Sequence, residues 1–367
     1  MSGPGIFRHG ARLPVQAPAA AISLAEGDTP LVALSADSRI ATGGAAVAVK
    51  CEFLNPTGSF KDRIAAVAAT RAREHGRNGV VGMSSGNGGA AIAAYAARAG
   101  LPLTLFTVPG APAAKLDQVR AHGAHVIELR GLGHDAAATA RAAAELVRAA
   151  QVHGREPFVT ARSYCPDAMA GARTIAYELA EQAPDATAVY APIGGGGLFA
   201  SIWHGYRELA AQLPGPLPRL VAVQPRGCPT VRRTLEGAGA QLEQPATTAI
   251  SGLQVAVLFD DADVVAALDR TGGHLVEVDD DVVWDVQARL ARRDGMLVEP
   301  AGAVALAGLE ADVRAGRVGP GDRVVTIATG AGFKDAAAIR RLGGEAPLDA
   351  VELNDVERIL ETTGSML

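Results

Sequence analysis

Short apolar segments alternate with alanine-rich segments along most of this chain, and that alternation restricts the fold more than any other sequence feature. The alanine-rich segments carry apolar residues at helical spacing, whereas the short segments are apolar nearly throughout. Such strands are typical of a parallel sheet covered by helices on both faces, so we predict an α/β protein. The predicted strands are 46–53, 79–84, 102–108, 124–130, 188–193, 219–225 and 324–329, and the predicted helices are 60–75, 87–99, 112–122, 134–153, 168–182, 198–212, 281–294, 303–315 and 353–362.

Length and turn-forming residues indicate how the chain is divided. At about 150 residues per domain, 367 residues predict two domains. Loops near 54–58 and 154–166 are the candidate boundaries. The stretch 226–260 lacks clear periodicity, and we predict a loop-rich excursion there. A last helix is predicted within 347–367, with Asn354 as a candidate N-cap.

Composition argues against several classes of protein. The 34 basic and 39 acidic side chains give a net charge of −5, which disfavours binding to nucleic acids and anionic membranes. No apolar run approaches the roughly 20 residues of a membrane span, and the N-terminus lacks the apolar block of a secretory signal, so we expect a cytoplasmic protein. Three widely spaced cysteines predict reduced, buried thiols. His122 and His125 lack the glutamate of an HExxH motif, and we predict no metal site.

Lysine is rare in this chain. There are four lysines, Lys50, Lys61, Lys115 and Lys334, against 30 arginines. Because arginine stays protonated, it does not form a Schiff base under ordinary conditions. Any chemistry that needs a lysine must therefore use one of these four residues.

The first of three unusual strand–loop–helix junctions is NPTGSFKDR, residues 55–63. Such junctions matter because ligands of parallel sheets gather at the carboxyl ends of the strands. Asn-Pro and Thr-Gly predict a turn, and Ser59 is predicted to cap the next helix. Lys61 then falls in the first helical turn, where the helix dipole disfavours a cation. Either Lys61 points to solvent or pairs with Asp62, or the site lowers its pKa and favours a free amine or an imine.

The second junction is SSGNGG, residues 84–89, between a predicted strand and a predicted helix. Two hydroxyls, an amide and three glycines at a helix start present backbone N–H groups to an anion. Because small polar residues also cap many helices, a plain capping loop explains this motif equally well when it is taken alone.

The third junction is GGGGL, residues 194–198, directly after the apolar run AVYAPI. Successive glycines permit close backbone approach and positive φ, which suits a nest around a phosphate. Phe199 stands where a GxGxxG motif requires glycine, and no GK[ST] follows, so a nucleotide-binding oxidoreductase is disfavoured. A flexible linker is also disfavoured, because strand and helix abut the glycines.

Together the junctions indicate a ligand with a phosphate and an aldehyde that condenses with a lysine, and a partner that carries a carboxylate. Pyridoxal phosphate with an amino-acid substrate meets these requirements. The sequence also resembles a known family, the fold-type II pyridoxal-phosphate enzymes, which include threonine synthase, threonine and serine dehydratases and serine racemase. The resemblance covers roughly residues 25–340 and rests on NPTGSFKDR, SSGNGG, GGGGL, VEPAGA at 298–303 and TGAGFKD at 329–335, in the family's order.

The resemblance implies an architecture. It implies two α/β domains, each with a mainly parallel sheet flanked by helices. The larger, cofactor-binding domain would comprise 1–53 and 150–346, and the smaller, mobile domain would be 54–149, with 347–367 as a C-terminal helix or tail. A homodimer is usual for such relatives, and we expect one here.

The resemblance also implies residue roles. Lys61 would hold the cofactor aldehyde as a Schiff base and move the substrate's Cα proton, with Phe60 near the ring. Asn87 would bond the ring's 3-oxygen. Thr329 would face the pyridine nitrogen, and its neutral hydroxyl favours loss or exchange of a substituent over transamination. Ser85 would be an acid or base on the opposite face, which permits racemisation. The phosphate would lie on Gly194, Gly195, Gly196, Gly197 and Leu198, and the substrate carboxylate on Ser84, Ser85, Gly86, Asn87 and Gly88.

The motifs divide between members of the family. TGAGFKD and LAEGDTPL at 24–31 resemble threonine synthase, whereas GGGGL resembles the dehydratases and racemases. In threonine synthase, an arginine two residues after a proline binds the phosphate of O-phosphohomoserine, but the matching stretch 163–172 has Ala168 there. Unless Arg162 substitutes, the loss would be about 2–5 kcal/mol. We therefore expect elimination or replacement on serine, threonine or an O-activated homologue. True threonine synthase is the alternative within the family, and a non-catalytic binding protein is the alternative outside it.

Overall fold

The structure of the protein is a computed structural model that describes residues 3–344, except residues 36, 112, 131, 133, 134 and 214. The helix predicted at 353–362, its candidate cap Asn354 and the rest of the predicted tail 347–367 lie outside the described residues.

Strands and helices alternate as the sequence predicts. The strands are β1 Leu31–Ala33, β2 Ala46–Lys50, β3 Val80–Met83, β4 Leu103–Thr107, β5 His125–Glu128, β6 Glu156–Phe158, β7 Ala188–Pro192, β8 Arg219–Pro225, β9 Leu275–Val278 and β10 Arg323–Ile327. The helices are α1 Lys61–Glu74, α2 Asn87–Ala99, α3 Ala113–Ala121, α4 Ala136–Val152, α5 Pro166–Gln182, α6 Gly197–Leu209, α7 Thr230–Leu235, α8 Asp261–Thr271, α9 Asp280–Asp294, α10 Pro300–Arg314 and α11 Ala336–Gly343.

Two sheets organise these elements. One has six strands in the order β1-β2-β10-β7-β8-β9, and the other has four in the order β5-β4-β3-β6. Every neighbouring pair is parallel except β1 with β2, which is antiparallel. The predicted α/β class, with mainly parallel sheets flanked by helices, is confirmed.

Strand β6 shows where the smaller sheet ends along the chain. Its residues Glu156, Pro157 and Phe158 pair with β3, so the four-stranded sheet continues past residue 150, where we placed the return to the larger domain. The sequence does not reveal this strand because it is three residues long and has a proline at its centre. Proline is tolerated here because β6 is an edge strand.

The other unpredicted elements are short or peripheral. Strands β1 and β9 are the outer strands of the six-stranded sheet. The stretch 226–260, predicted to be loop-rich, contains the short helix α7 and an isolated bridge between Gln241 and Val257. Helix α8 follows it directly, and its first residues return the chain to the neighbourhood of the glycine loop at 194–198.

Helix α1 packs against α5 almost backbone to backbone. A Cβ on Gly171 would lie 1.9 Å from the carbonyl oxygen of Arg63, so only glycine permits this approach. The contact fixes the first turn of α1, which begins at Lys61, against the larger part of the molecule.

A buried ionic network anchors the same turn. The fully buried guanidinium of Arg63 donates to Glu52 at 2.7 and 2.8 Å and to Glu178 at 2.6 and 2.8 Å. Lys50 Nζ donates to Glu178 at 2.5 Å. Burial by itself raises the pKa of Glu178, but Arg63 and Lys50 outweigh it and hold that pKa at about 2. Two cations and two carboxylates thus neutralise one another around Arg63, two residues after Lys61.

Three further features of the described residues concern membrane spans, metal binding and the cysteines. Within 3–344, apart from the gaps given above, no helix is both long and apolar enough to cross a bilayer. Among the same residues, no three His, Cys, Asp or Glu side chains are grouped to hold a metal ion. Cys51, Cys165 and Cys228 are buried free thiols, as predicted.

Candidate active site

A cavity of about 790 Å³ opens where loops from both sheets meet. Its walls come from segments that follow the carboxyl ends of β3, β4, β6, β7 and β10, where parallel sheets bind ligands. All three junctions singled out in the sequence contribute to it. The lining includes Phe60, Lys61, residues 84–88, 108–111, 159–161, 193–199 and 251–256, Phe259, Glu299 and Thr329.

Lys61 is the first residue of α1 and lines this cavity. Burial lowers the pKa of Lys61 to about 8, and the nearby carboxylates of Glu299 and Asp260 act in the opposite direction. Its Nζ lies 4.6 Å from the centre of the Phe60 ring. At pKa 8, roughly a quarter of the amine is uncharged at pH 7.5, which favours the free-amine interpretation of this residue.

The turn before α1 is closed by Asp62. Thr57 donates to the Asp62 carboxylate from its backbone N at 2.7 Å and from its hydroxyl at 2.5 Å, so Asp62 is committed to this turn rather than to Lys61. The predicted Ser59 cap is wrong: Phe60 occupies the cap position, and the buried hydroxyl of Ser59 has no hydrogen-bond partner in the described structure.

At the second junction, the hydroxyl of Ser84 closes its own loop. Ser84 Oγ accepts from the backbone N of Gly86 at 3.3 Å and of Gly89 at 2.9 Å. The loop leads into α2, so its remaining donors stand at a helix N-terminus. Within the described residues, the backbone N–H groups that stay open are those of Ser85, Asn87 and Gly88.

Asn87 and Glu299 meet across the cavity. Asn87 Nδ2 donates to Glu299 Oε1 at 2.7 Å, which joins α2 to the residue preceding α10. Glu299 is 3% exposed, and a Cβ on Gly330 would lie 2.2 Å from its Oε1, so glycine at 330 leaves room for this carboxylate. In the sequence, residues 298–303 stand out only as a family motif, and no spacing pattern distinguishes Glu299 as a site residue.

At the third junction, β7 ends at Pro192 and α6 begins at Gly197, so the connection consists of Ile193 and the three glycines 194–196. Gly196 has φ +93°, in the region that favours glycine. A Cβ on Gly197 would lie 2.7 Å from Thr160 O. The backbone N–H groups of residues 194–196 donate in no hydrogen bond within the described part of the chain. The loop therefore offers open donors beside a helix N-terminus, which suits a phosphate.

Arg162, which we expected near a substrate phosphate, is not part of the cavity lining. Its Nε donates to Asp263 Oδ2 at 2.9 Å and lies 2.8 Å from His204 Nε2. Ala168 is buried in α5. Because the Arg162 guanidinium is engaged by these partners, we do not carry Arg162 into the proposed substrate site.

The remaining predicted residues lie in the cavity wall. Thr329 follows β10, is 5% exposed, and accepts a hydrogen bond from Phe60 N at 3.1 Å through its backbone oxygen. Its side chain brings one neutral hydroxyl to this wall. Ser85 and Leu198 also line the cavity. The structure thus brings together every predicted site residue except Arg162.

An amine that loses its proton near neutral pH is what an aldehyde cofactor requires, and open N–H donors at a helix N-terminus are what a phosphate requires. Pyridoxal phosphate carries both an aldehyde and a phosphate, and both Lys61 and the glycine loop line the cavity. Fold and site therefore define a pyridoxal-phosphate enzyme.

Comparison with known proteins agrees with this conclusion. The family model described as "Pyridoxal-phosphate dependent enzyme" matches residues 22–330, and the chain belongs to that family. The resemblance stated from the motifs is confirmed, and pyridoxal phosphate is the cofactor.

Curated relatives match most of the chain. A threonine synthase of Methanosarcina acetivorans is 33% identical over 347 residues, which cover 92% of this chain and 82% of the relative. A threonine synthase of Halalkalibacterium halodurans is 32% identical, with coverage of 88% and 87%. A threonine synthase of Mycobacterium tuberculosis is 32% identical, with coverage of 97% and 96%.

Solved structures share the fold. Maize serine racemase matches with a TM-score of 0.70 at 21% identity, covering 100% of this chain and 99% of that one. Threonine deaminase isoform 2 from Solanum lycopersicum matches with a TM-score of 0.67 at 23% identity, covering 86% and 89%. Serine racemase from Dictyostelium discoideum is 24% identical, with a TM-score of 0.66 and coverage of 83% and 92%.

Proposed function

We propose that this enzyme eliminates or replaces the β- or γ-substituent of a small L-amino acid such as serine, threonine or an O-activated homologue that lacks a phosphate. The observation that carries the proposal is the charge of the cavity. Among the described lining residues, Lys61 and Glu299 are the charged side chains, and Lys61 is needed for the cofactor. A substrate phosphate would find no guanidinium there, which costs about 2–5 kcal/mol relative to a bidentate contact.

Different residues of the cavity wall would hold different parts of the cofactor. The open N–H groups of residues 194–196 would hold the phosphate, Asn87 would bond the ring's 3-oxygen, and Phe60 would pack near the ring. When bound, pyridoxal phosphate supplies an aldehyde that condenses with an amine and an electron-withdrawing ring that stabilises negative charge at the substrate's α-carbon. Lys61 provides the amine, because its pKa of about 8 leaves part of it uncharged near neutral pH.

The substrate is held at the second junction. The open N–H groups of Ser85, Asn87 and Gly88 bind its carboxylate, as donors at a helix N-terminus bind anions. Lys61 then takes the proton from the α-carbon. Ser85 lies in the same wall and is the candidate acid or base for the opposite face, which would add racemisation.

Thr329 sets the type of reaction. A hydroxyl facing the pyridine nitrogen leaves that nitrogen largely unprotonated, so negative charge at the α-carbon is stabilised less than it would be beside a carboxylate. Such a site favours loss or exchange of a substituent over transamination.

A second candidate is threonine synthase, and one observation favours it. The curated relatives described above carry that name, and they match at 32–33% identity over most of both lengths. This candidate requires a cation for the phosphate of O-phosphohomoserine, and Ala168 stands where the family places an arginine.

Substrate assays separate the two candidates. The holoenzyme is incubated with serine, threonine and O-phosphohomoserine, and keto acid, phosphate and threonine are measured, with Lys61→Ala as the inactive control. We expect keto acid from serine or threonine and no threonine from O-phosphohomoserine. Threonine and phosphate from O-phosphohomoserine would overturn the proposal in favour of threonine synthase.

We also infer a cytoplasmic homodimer, from the sequence and the family resemblance. Light scattering of the holoenzyme tests the oligomer. A mass of twice 37.4 kDa is expected, and a mass of 37.4 kDa would contradict it.

A further inference from the structure

A cluster of polar side chains lies against the outer side of the glycine loop. It consists of Asp260, Asp263, Arg162, Ser163 and His204, and we call it the Asp260 clamp. We propose that Asp260 is a positioning residue for the cofactor phosphate, which holds the glycine loop in its binding shape without touching the cofactor. This inference rests on the proposed placement of the phosphate at residues 194–198.

Asp260 connects two segments that line the cavity. Its Oδ2 accepts from the backbone N of Arg162 at 2.9 Å, and its Oδ1 accepts from the backbone N of Ser163 at 2.9 Å. On its other side, the backbone N of Asp260 donates to Gly195 O at 3.4 Å, and that of Phe259 donates to the same oxygen at 3.0 Å. One residue thus ties the turn after β6 to the glycine loop after β7.

The contact with the glycine loop is close. A Cβ on Gly196 would lie 3.3 Å from Asp260 Cβ, and a Cβ on Gly197 would lie 3.5 Å from Asp260 Oδ2. On its far side, Gly197 is bounded by Thr160 O, which would lie 2.7 Å from the same added Cβ. Asp260 is only 5% exposed. The loop therefore has little room to move unless Asp260 moves.

Asp263, Arg162 and His204 form a second set of contacts, which holds α6, the helix that follows the glycine loop. Asp263 accepts from Arg162 Nε at 2.9 Å, and His204 Nε2 lies 2.9 Å from the other Asp263 oxygen. His204 is on α6, whose first turn supplies the loop's helix N-terminus. The clamp consequently holds both the loop and its helix against the start of α8.

The charge of Asp260 and its hydrogen bonds predict opposite changes in phosphate affinity when Asp260 is replaced by asparagine. A carboxylate beside an anion site repels the anion, so removing its charge should strengthen phosphate binding if charge alone mattered. If Asp260 acts by position, Asp260→Asn should weaken binding. An asparagine at 260 has one acceptor oxygen for the two backbone N–H groups of Arg162 and Ser163. Its NH₂ group would face the second of these N–H groups, and two donors cannot bond each other.

The test measures cofactor binding rather than turnover. Cofactor-free enzyme is titrated with pyridoxal phosphate, and the ³¹P resonance of each reloaded holoenzyme is recorded. Asp260→Asn is expected to bind about 10- to 100-fold more weakly, with a shifted or broadened resonance. Asp261→Asn is the matched control, since Asp261 is the next residue in the chain, opens α8, and accepts from its neighbour Ala262 N. The control is expected to bind within about twofold of the parent enzyme.

Two further variants keep the result decisive. Asp263→Asn leaves the hydrogen bonds of Asp260 intact and weakens the contacts with Arg162 and His204. Its affinity for pyridoxal phosphate is therefore expected to fall by a smaller factor, about two- to tenfold. If Asp260→Asn does not fold, the Asp263→Asn result decides the test. Unchanged or tighter binding in Asp260→Asn, or in Asp263→Asn when it stands alone, overturns the clamp. Gly197→Ala tests the phosphate placement separately: an unchanged ³¹P resonance there would overturn the proposed site itself.

Discussion

The buried amine of Lys61 should destabilise the cofactor-free enzyme at neutral pH. Burial lowers the Lys61 pKa from its ordinary 10.5 to about 8. At 1.36 kcal/mol per pKa unit, the fall from 10.5 to about 8 corresponds to about 3 kcal/mol. Because the folded pKa lies below the unfolded one, the destabilisation is full below pH 8 and shrinks as pH rises from 8 to 10.5. The free energy of unfolding therefore gains about 1 kcal/mol from this residue between pH 7 and pH 9.

Replacement of the amine tests this reasoning. Lys61→Met keeps most of the side-chain volume and removes the charge, so the cofactor-free variant should be more stable than the parent at pH 7 by up to about 3 kcal/mol. The advantage should narrow by about 1 kcal/mol at pH 9. Lys61→Arg is the matched control, because a guanidinium keeps its proton at both pH values and its stability relative to Lys61→Met should not improve with pH.

The assay is urea unfolding of the three cofactor-free proteins at pH 7 and pH 9, followed by circular dichroism. A methionine variant that is less stable than the parent at pH 7 would refute the argument. So would a stability difference between parent and variant that is the same at both pH values.

The remaining predictions concern the neighbours of Lys61. Glu299→Gln removes a charge that raises the Lys61 pKa, so the pH profile for capture of pyridoxal phosphate by the cofactor-free enzyme should move to lower pH. An unmoved profile would contradict this prediction. Thr329→Asp should keep the ring nitrogen protonated, shift the cofactor absorbance and cut elimination at least about tenfold, and unchanged kinetics would count against Thr329's role. Arg63→Met leaves the buried Glu52 without its ion-pair partner and Glu178 with Lys50 alone, so urea unfolding should show a loss of about 3–5 kcal/mol in the free energy of unfolding. Arg148→Met, which breaks an exposed ion pair, should show no such loss.

Periodicity predicted most of the fold because its elements are long or fully apolar. Helix α2 was predicted at 87–99 and runs over Asn87–Ala99, and the predicted strand at 219–225 is β8, Arg219–Pro225. Strand β6 was missed because it has three residues and a central proline, which carries almost no pattern. Its pairing partner is set by tertiary structure, so the end of the smaller sheet could not be located from local sequence.

Site residues could be predicted from the sequence where a single distinctive residue or motif carries the chemical role. Lys61 and the glycine loop at 194–198 stand out by rarity and by run length, and both line the cavity. Residues that act through partners distant in sequence did not stand out. Glu299 bonds Asn87 from 212 residues away, and Asp260 bonds Arg162 from 98 residues away.

Two local predictions failed for the same reason. Ser59 has the residue type of a helix cap, but the Thr57–Asp62 hydrogen bonds close that turn instead. Arg162 has the charge to bind a phosphate, but Asp263 and His204 engage its side chain. In both cases the residue type showed what the side chain could bind. Which partner it contacts depends on tertiary packing, which the local sequence does not show.

The central claim is that Lys61 is the residue that binds the cofactor aldehyde. Its most direct test is to reduce the holoenzyme with borohydride, digest it, and locate the retained pyridoxyl group by mass spectrometry. The chain has only four lysines, so the assignment is unambiguous. We predict one labelled peptide, carrying the group on Lys61. A label on Lys50, Lys115 or Lys334, or a yellow protein that loses its cofactor after reduction, would contradict the account.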